Sequence, residues 1–405
     1  MDPPNSSVIT TPEMLRVPKN FSPELRLLLG LLRVALKTGE AAEIAGLGRG
    51  VDWTAFGACV ERHRVGPFLH HRLPPEVRSA LPVAATQHLR QQSQANVRRA
   101  LMQSAELARL AKLFEEKNIP VISLKGPLLS RQLYGELGLR HAGDIDLLVA
   151  PGNAGPADTV LREAGYRRTE PDFELTLRQA KQYRRLRHEF SYLAAPPRPR
   201  MEMTWQLESF SNLENIWPRA IKQELGGQQI HTLPPDININ YLFHHGSRHA
   251  WFRLFWLVDV ALLLAESETD WAGLLGRARA AKNVRPLLQG ARLAGELLGA
   301  PVPPAFLAGP GEQRKIAAFA AEACHWMVLD ADASEKPAGL FRLLIYRLRL
   351  QQRWHTKYYI LKQRLLFVRG WKMLRLPDWC FALYYPAVPF LYLYYCIAPG
   401  RKPSR

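Results

Sequence analysis

From Phe21 to about Lys117, apolar residues recur at three- and four-residue spacing, as in SPELRLLLGLLRVAL and VRRALMQSAELARLAKLFEEK, with proline and glycine between the runs. That period predicts amphipathic helices, because only a helix turns side chains three and four apart onto one face. Ser22, Pro23 and Glu24 predict a helix start: a short polar side chain caps free amides, and proline suits the first turn. The texture then changes. Ile119–Leu124 is a short β-branched run, followed by Lys125-Gly126-Pro127 and a helical LLSRQLYGEL. DIDLLVA from Asp144 alternates and then turns apolar, as a buried strand does, and GPADTVLREAGY is helical with Gly165 as its stop. HEFSYL from His188 and MEMTWQL from Met201 read as two more strands around a proline-bearing turn. After Pro234 helices return, the most apolar being YLFHHGSRHAWFRLFWLVDVALLLAE, with Gly299-Ala300-Pro301 as a stop.

The predicted class is therefore α+β: a small mixed β-sheet core flanked by N- and C-terminal α-helical regions. Residues 1–20 read as a disordered lead, 21–116 as helical, 117–230 as the sheet core, 231–335 as helical again, and 336–405 as a distinct tail. Between Lys336 and Pro377 stand eleven basic residues and no acid, interleaved with aromatics, and Trp379 to Gly400 is then uncharged and rich in tyrosine.

The chain carries a formal net charge of +18 over 405 residues, which implies a polyanionic partner: nucleic acid, anionic lipid or a phosphate-bearing substrate. For residues 336–400 an anionic membrane surface is the partner expected, ahead of nucleic acid. Pro386 and Pro389 would break a straight helix, and tyrosines favour the lipid boundary, so docking is predicted rather than a span. Closing the hydrophobic core is the plainer alternative. The four cysteines lie far apart, with no CxxC pair, and the N-terminus lacks the order of a secretory signal. The setting expected is cytoplasmic, with peripheral attachment to the inner face of a membrane.

The candidate chemistry sits in the sheet core. Residues i and i+2 of a strand share a face, so Asp144 and Asp146 would present two carboxylates side by side. Carboxylate oxygens suit Mg²⁺ or Mn²⁺, and such ions neutralise a triphosphate and activate an acceptor. A third acid is expected from a neighbouring strand: Glu202, with Glu189 in reserve. Asp-x-Asp alone is a common pattern, and a turn or cap is its structural alternative. Lys125 and Gly126 lie between strand and helix, where glycine lets backbone approach phosphate and free amides favour an anion. Arg140 is a further candidate for phosphate, or else a structural ion pair. His244, His245 and His249 lack a third acidic ligand at local spacing, which predicts core or cleft histidines rather than zinc. Asp259, amid apolar residues, wants a partner such as Arg253 or Lys125. Trp251 to Leu264 should pack as a buried helix.

The stretch LKGPLLSRQLYGELGLRHAGDIDLLV resembles the signature of the bacterial family labelled uncharacterised nucleotidyltransferases, a branch of the DNA polymerase beta-like nucleotidyltransferase superfamily. VDWTAFGACVERHRVGPFL resembles its helical lead, MEMTWQL its carboxylate strand and HHGSRHAWFRLFWLVDVALLL its later helix. The resemblance covers about residues 50 to 305 and implies metal binding by Asp144, Asp146 and Glu202, with Lys125 and Gly126 at the glycine turn. It departs at Pro127, where the superfamily prefers Gly-Ser or Gly-Gly, and at Thr204, where the family commonly has histidine. The activity it implies moves a nucleoside monophosphate from a nucleoside triphosphate to a hydroxyl or phosphate acceptor. Analogy points to a saccharide or lipid-linked acceptor in surface-polysaccharide biosynthesis. A metal-dependent glycosyltransferase and a degenerate nucleotide-binding scaffold at the membrane are the alternatives.

Overall fold

The computed structural model describes residue 18 and residues 20–44, 46–207, 215–266, 270–307, 312–329, 337–365 and 367–397. The expected lead over residues 1–20 falls almost wholly outside the described residues.

Five helices precede the sheet: α1 (Pro23–Ala35), α2 (Trp53–His63), α3 (Gly66–Arg72), α4 (Pro75–Ser79) and α5 (Val83–Glu116). Ser22 caps α1 as its sequence predicts, its hydroxyl accepting the Leu25 N–H at 3.3 Å. Helix α5 runs about 50 Å at 1.5 Å per residue. Its buried stripe sets polar residues, Asn96 and Gln103 among them, between Leu89, Ala100, Leu107, Leu110 and Phe114.

Seven strands follow: β1 (Val121–Ser123), β2 (Ile145–Val149), β3 (Arg167–Glu170), β4 (Glu189–Leu193), β5 (Met201–Thr204), β6 (Ile221–Leu225) and β7 (Gln228–Thr232), interspersed with α6 (Pro127–Tyr134), α7 (Ala154–Glu163) and α8 (Leu177–Leu186). The order is β3-β4-β5-β2-β1-β7-β6, with β2–β5 and β1–β7 parallel and the other pairs antiparallel. The fold is α+β with a mixed sheet, and the four strands read from the sequence are all present. Strand β3 and the β6–β7 hairpin are additional. β3 reads RRTE, an edge strand with no apolar alternation. The hairpin turns on Gly226 and Gly227, both at positive φ, the backbone that tight two-residue hairpins require.

Strand alternation divides the interior. Ile145, Leu147 and Val149 of β2, with Met201 and Met203 of β5 and Phe190 and Tyr192 of β4, pack against the C-terminal half of α5 and against α7 and α8. Ile122 and Leu148 belong instead to the larger core built by α1–α3 and the later helices. The same period of two that sends Ile145 and Leu147 one way turns Asp146 and Glu202 the other.

The C-terminal helices are α9 (Pro235–Arg248), α10 (Leu254–Glu266), α11 (Trp271–Ala280), α12 (Val284–Leu298), α13 (Pro304–Leu307) and α14 (Gln313–Val328). The apolar run expected as a helix from Trp251 is corrected: the chain leaves α9 at His249, passes Ala250 and Trp251 at φ 50° and 51°, and re-enters helix at Leu254. Trp251 drives the break. Its buried indole donates to Ser247 Oγ at 3.1 Å. It fills space that only glycine leaves, since a Cβ on Gly246 would lie 2.3 Å from the ring.

The tail forms α15 (Pro337–Leu350), α16 (Trp354–Leu365), α17 (Val368–Met373) and α18 (Tyr384–Ile397). Part of it closes the core: Tyr346 and Leu350 join the larger cluster, and Val368, Trp371, Phe381 and Tyr384 join the sheet's. Pro389 does not break α18, which carries it inside the helix. Trp354, Trp379 and Phe390 remain 77%, 81% and 75% exposed. Among the described residues no helix is long and apolar enough to cross a membrane.

Candidate active site

Parallel pairing of β2 with β5 sets Asp146 directly beside Glu202. Asp144 lies two residues upstream, just before the strand, which begins at Ile145, whose N–H donates to the Arg200 carbonyl at 3.0 Å. Glu189 comes from β4, the next strand out. Asp146, Glu202 and Glu189 line one solvent-open cleft, whose other walls include Lys125, Tyr241 and His245. Lys125 follows β1 and lays its Nζ 3.0 Å from Asp146 Oδ1, both side chains nearly buried. Gly126, at φ 77° and ψ −146°, occupies backbone space essentially reserved for glycine and starts α6. The structure brings Asp146, Glu202, Lys125 and the reserve Glu189 to one cleft, and Asp144 is not among the residues that line it.

Carboxylates outnumber cations there. Burial, then the charges of Asp146, Glu189 and Asp144, push Glu202 up to about 8 against the pull of Lys125. Asp144 is raised by burial and by Asp146, opposed by Arg200, Lys125 and Arg64. Burial would lower Lys125, but Asp146, Tyr241 and Glu202 more than reverse it, so its ammonium is held charged. An acid whose folded pKa is raised contributes stability below its ordinary range and loses it as pH rises through the folded value. Glu202→Gln cannot ionise. The melting temperature of the Gln variant relative to the native chain is therefore expected to climb between pH 5.5 and 8.5; a difference independent of pH would refute the raised carboxyl.

The loop from Gly135 to Asp144, which delivers the first aspartate, is fixed at several points. Asn96 of α5 donates to the carbonyls of Gly138 and Arg140, both at 2.8 Å, and accepts the Ala142 N–H at 2.8 Å. Gln103 donates to the Gly143 carbonyl. Ser130 accepts the Arg140 N–H at 3.1 Å. Arg140 itself is turned away from the cleft: its guanidinium meets Asp259 of α10 at 2.9 to 3.0 Å through two nitrogens, and Tyr134 donates to the same carboxylate at 2.7 Å. This corrects the partner expected for Asp259, which is Arg140 rather than Arg253 or Lys125. It also places Arg140 in the structural alternative its sequence position left open. Asn96 and Gln103 were not singled out by sequence, although polar residues on an otherwise apolar helix stripe are the signal.

The histidines are held by aromatic packing. His249 stacks on Trp256 at 5.1 Å, and His245 meets the same ring edge-on at 5.5 Å. Burial, then Lys125, lowers His245 well below the usual imidazole range, so it faces the cleft uncharged.

A protein-family model described as uncharacterised nucleotidyltransferase matches residues 49–299, more than half of the chain. The chain belongs to this family. No curated protein and no solved structure matches it. The matched span of this nucleotidyltransferase holds every residue of the carboxylate cleft and ends at Gly299, the left-handed cap of α12, so α13 to α18 lie outside it.

Whether the nucleotidyltransferase's cleft suits a divalent cation is decided by its donors. The acids supply hard oxygen ligands, and the upward push on Glu202 comes first from burial and then from neighbouring carboxylates that Lys125 alone does not offset. Among the described residues, no three His, Cys, Asp or Glu side chains already converge on one point. Mg²⁺ does not require that: it keeps several waters and commonly takes one or two carboxylates together with substrate phosphates. The donor set fits.

Proposed function

We propose that this nucleotidyltransferase transfers a nucleoside monophosphate from a nucleoside triphosphate to a hydroxyl or phosphate acceptor, with Mg²⁺ or Mn²⁺ as cofactor. The observation that carries the reading is the pairing of Asp146 with Glu202 across two parallel strands, with Asp144 on the same approach and a lysine-glycine turn beside them. Asp144, Asp146 and Glu202 would hold the cation, which when bound supplies charge neutralisation on the triphosphate. Lys125 is placed to move its ammonium from Asp146 to a phosphate oxygen, and the backbone at Gly126 leaves a phosphate room to approach, with no Cβ in the way. The acceptor oxygen attacks the α-phosphorus, the bond to the β-phosphate oxygen breaks, and pyrophosphate leaves. A hydroxyl acceptor's proton goes to a carboxylate of the cleft, for which Glu202, tuned near neutrality, is the best matched. Arg140 is left out of the phosphate contacts because Asp259 already takes its donors. Incubation with each α-labelled nucleoside triphosphate, Mg²⁺ or Mn²⁺, and soluble or membrane extract tests this. Label in a macromolecular or lipid product supports transfer and names the acceptor's compartment; label confined to free nucleotide under every condition counts against it.

A saccharide or lipid-linked acceptor fits the tail. Exposed Trp354, Trp379 and Phe390 lie in the tail that holds the acid-free run of bases between Lys336 and Pro377. Such a surface suits the boundary of an anionic bilayer. Full-length protein is expected to float with vesicles containing anionic lipid and not with zwitterionic ones, and the triple serine variant at these three positions should lose flotation. Retained flotation would assign the exposed aromatics another role.

A further inference from the structure

Around the loop that ends at Asp144 the chain gathers three arginines, Arg64, Arg99 and Arg253. Arg64 closes α2 in the left-handed conformation, φ 59° and ψ 34°, where glycine or asparagine is the usual choice. Its guanidinium reaches over the glycine preceding Asp144, with Nη1 3.9 Å from where a Gly143 Cβ would stand. Phe255 supports it, 5.9 Å from the ring centre, with Arg140 on the same ring at 5.2 Å. Arg253 lies over Phe252 at 4.8 Å and Trp256 at 5.9 Å, on the aromatic row that continues to Phe255. Arg99 of α5, exposed to solvent, donates to the Asn96 side-chain oxygen at 3.4 Å. Among the described residues, none of Arg64, Arg99 and Arg253 has an ion-pair partner within 4.0 Å, whereas Arg140 next to them is fully paired.

The neighbouring arginines act on Arg64. Burial, then Arg253, brings Arg64 down to about 10, with Asp144 opposing and Arg140 and Arg99 adding to the fall. His141 is brought down to about 2 by burial, then by Arg64, Arg99, Arg140 and Arg253, and so stays uncharged. Aromatic rings hold the guanidinium planes of Arg64 and Arg253 in place without neutralising them. A fold tolerates such repulsion where an anion visits.

We propose that Arg64, Arg99 and Arg253 form a phosphate-binding subsite adjoining Asp144, which takes a phosphoryl group of one of the two reactants. The class of ligand is a phosphate dianion or polyphosphate, for which planar, fixed guanidiniums give paired charge-assisted hydrogen bonds. What carries that phosphate rests on the transfer reaction proposed above: the triphosphate tail of the nucleotide donor, or a phosphate on the acceptor. The subsite itself does not depend on turnover.

The test is calorimetric titration of the full chain with sodium tripolyphosphate in metal-free buffer. Arg64→Ala and Arg253→Ala are each expected to weaken binding about tenfold or more, the effect of losing a hydrogen bond to a charged group. Arg64→Lys, which keeps charge but not the fork, should weaken it less. Melting curves guard against misfolding, and because the removed cation was repelled by its neighbours, neither alanine variant should melt below the native chain. Absence of binding, or equal binding by native and alanine variants, overturns the subsite. Repeating the titration with the protein saturated by a non-hydrolysable analogue of the nucleotide that supports transfer separates the sources. Loss of arginine-dependent binding assigns the subsite to the donor's phosphates, and persistence for inorganic phosphate assigns it to a phosphorylated acceptor. Transfer without arginine-dependent binding removes the subsite and leaves the reaction, whereas binding without transfer does the reverse.

Discussion

Replacing Asp259 with alanine is expected to cost about 3–5 kcal/mol of stability, the effect of leaving a buried charge without its partner. Asp259 is 1% exposed and Arg140 6%, and the carboxylate is satisfied from three directions: two guanidinium nitrogens and the Tyr134 hydroxyl. Removing it strands Arg140 in a site where water has little access, and leaves the Tyr134 hydroxyl without its acceptor. Arg140→Ala should be similarly severe for the mirrored reason. The double variant Arg140→Met, Asp259→Leu, which removes both charges and keeps volume, should be far less destabilised than the sum of the single changes. Urea unfolding of the four proteins makes the comparison. Additive losses would mean that the two residues act separately and that the pair does not hold the loop. With the pair broken, the Gly135–Asp144 loop keeps Asn96, Gln103 and Ser130 but loses its anchor to α10, so Asp144 is the active-site residue whose placement should suffer first.

Why some of this arrangement was legible in the sequence, and some was not, follows from the range of the forces involved. Alternation in DIDLLV and MEMT is a local property and marks both strands, whereas the pairing that sets Glu202 beside Asp146, and the start of the strand at Ile145 after Asp144, depend on the sheet. Ser22 at the start of α1 and Gly299 at the end of α12 are equally local, each setting the backbone of its own helix end. The β6–β7 hairpin is legible in Gly226-Gly227 between two short β-capable runs. β3 was not available, because its pattern RRTE carries no core face; it is a strand only because β4 offers an edge. Partner choice failed for Asp259 because nothing in sequence spacing distinguishes Arg140, 119 residues away, from Arg253 on the same stretch of helix-forming chain. The break at Ala250–Trp251 is tertiary as well: positive φ at two non-glycine residues is tolerated because burying the Trp251 indole between Gly246 and Gly290 outweighs the backbone cost. The tail divides along the same line, its aromatic residues falling into core and exposed sets that hydropathy alone does not separate.

Asp146→Asn is expected to act in the opposite sense to Asp259→Ala, lowering transfer by about 10³-fold or more, equivalent to ~4 kcal/mol of transition-state stabilisation, while leaving the fold intact. Both aspartates belong to buried ion pairs, but their surroundings differ. Asp259 has every oxygen matched, whereas Asp146 meets one ammonium at 3.0 Å and is crowded by Glu202, Glu189 and Asp144. Neutralising Asp146 takes an attractive partner from Lys125, yet Glu202 remains nearby to serve it, and the part of Glu202's upward shift that comes from Asp146, second to burial, is relieved. These two effects oppose, so the melting temperature should change little and the carboxyl of Glu202 should titrate closer to its ordinary range. Carboxylates held together at the expense of stability are what a site poised for a cation and a polyphosphate requires, since the cation supplies the missing positive charge only when substrate is engaged. Transfer by Asp146→Asn is measured with the same labelled triphosphates, beside its melting curve in metal-free buffer. Loss of activity in a protein that melts like the native chain places Asp146 in the chemistry. Loss accompanied by unfolding would make it a structural partner of Lys125, and full activity would move the reaction away from this cleft.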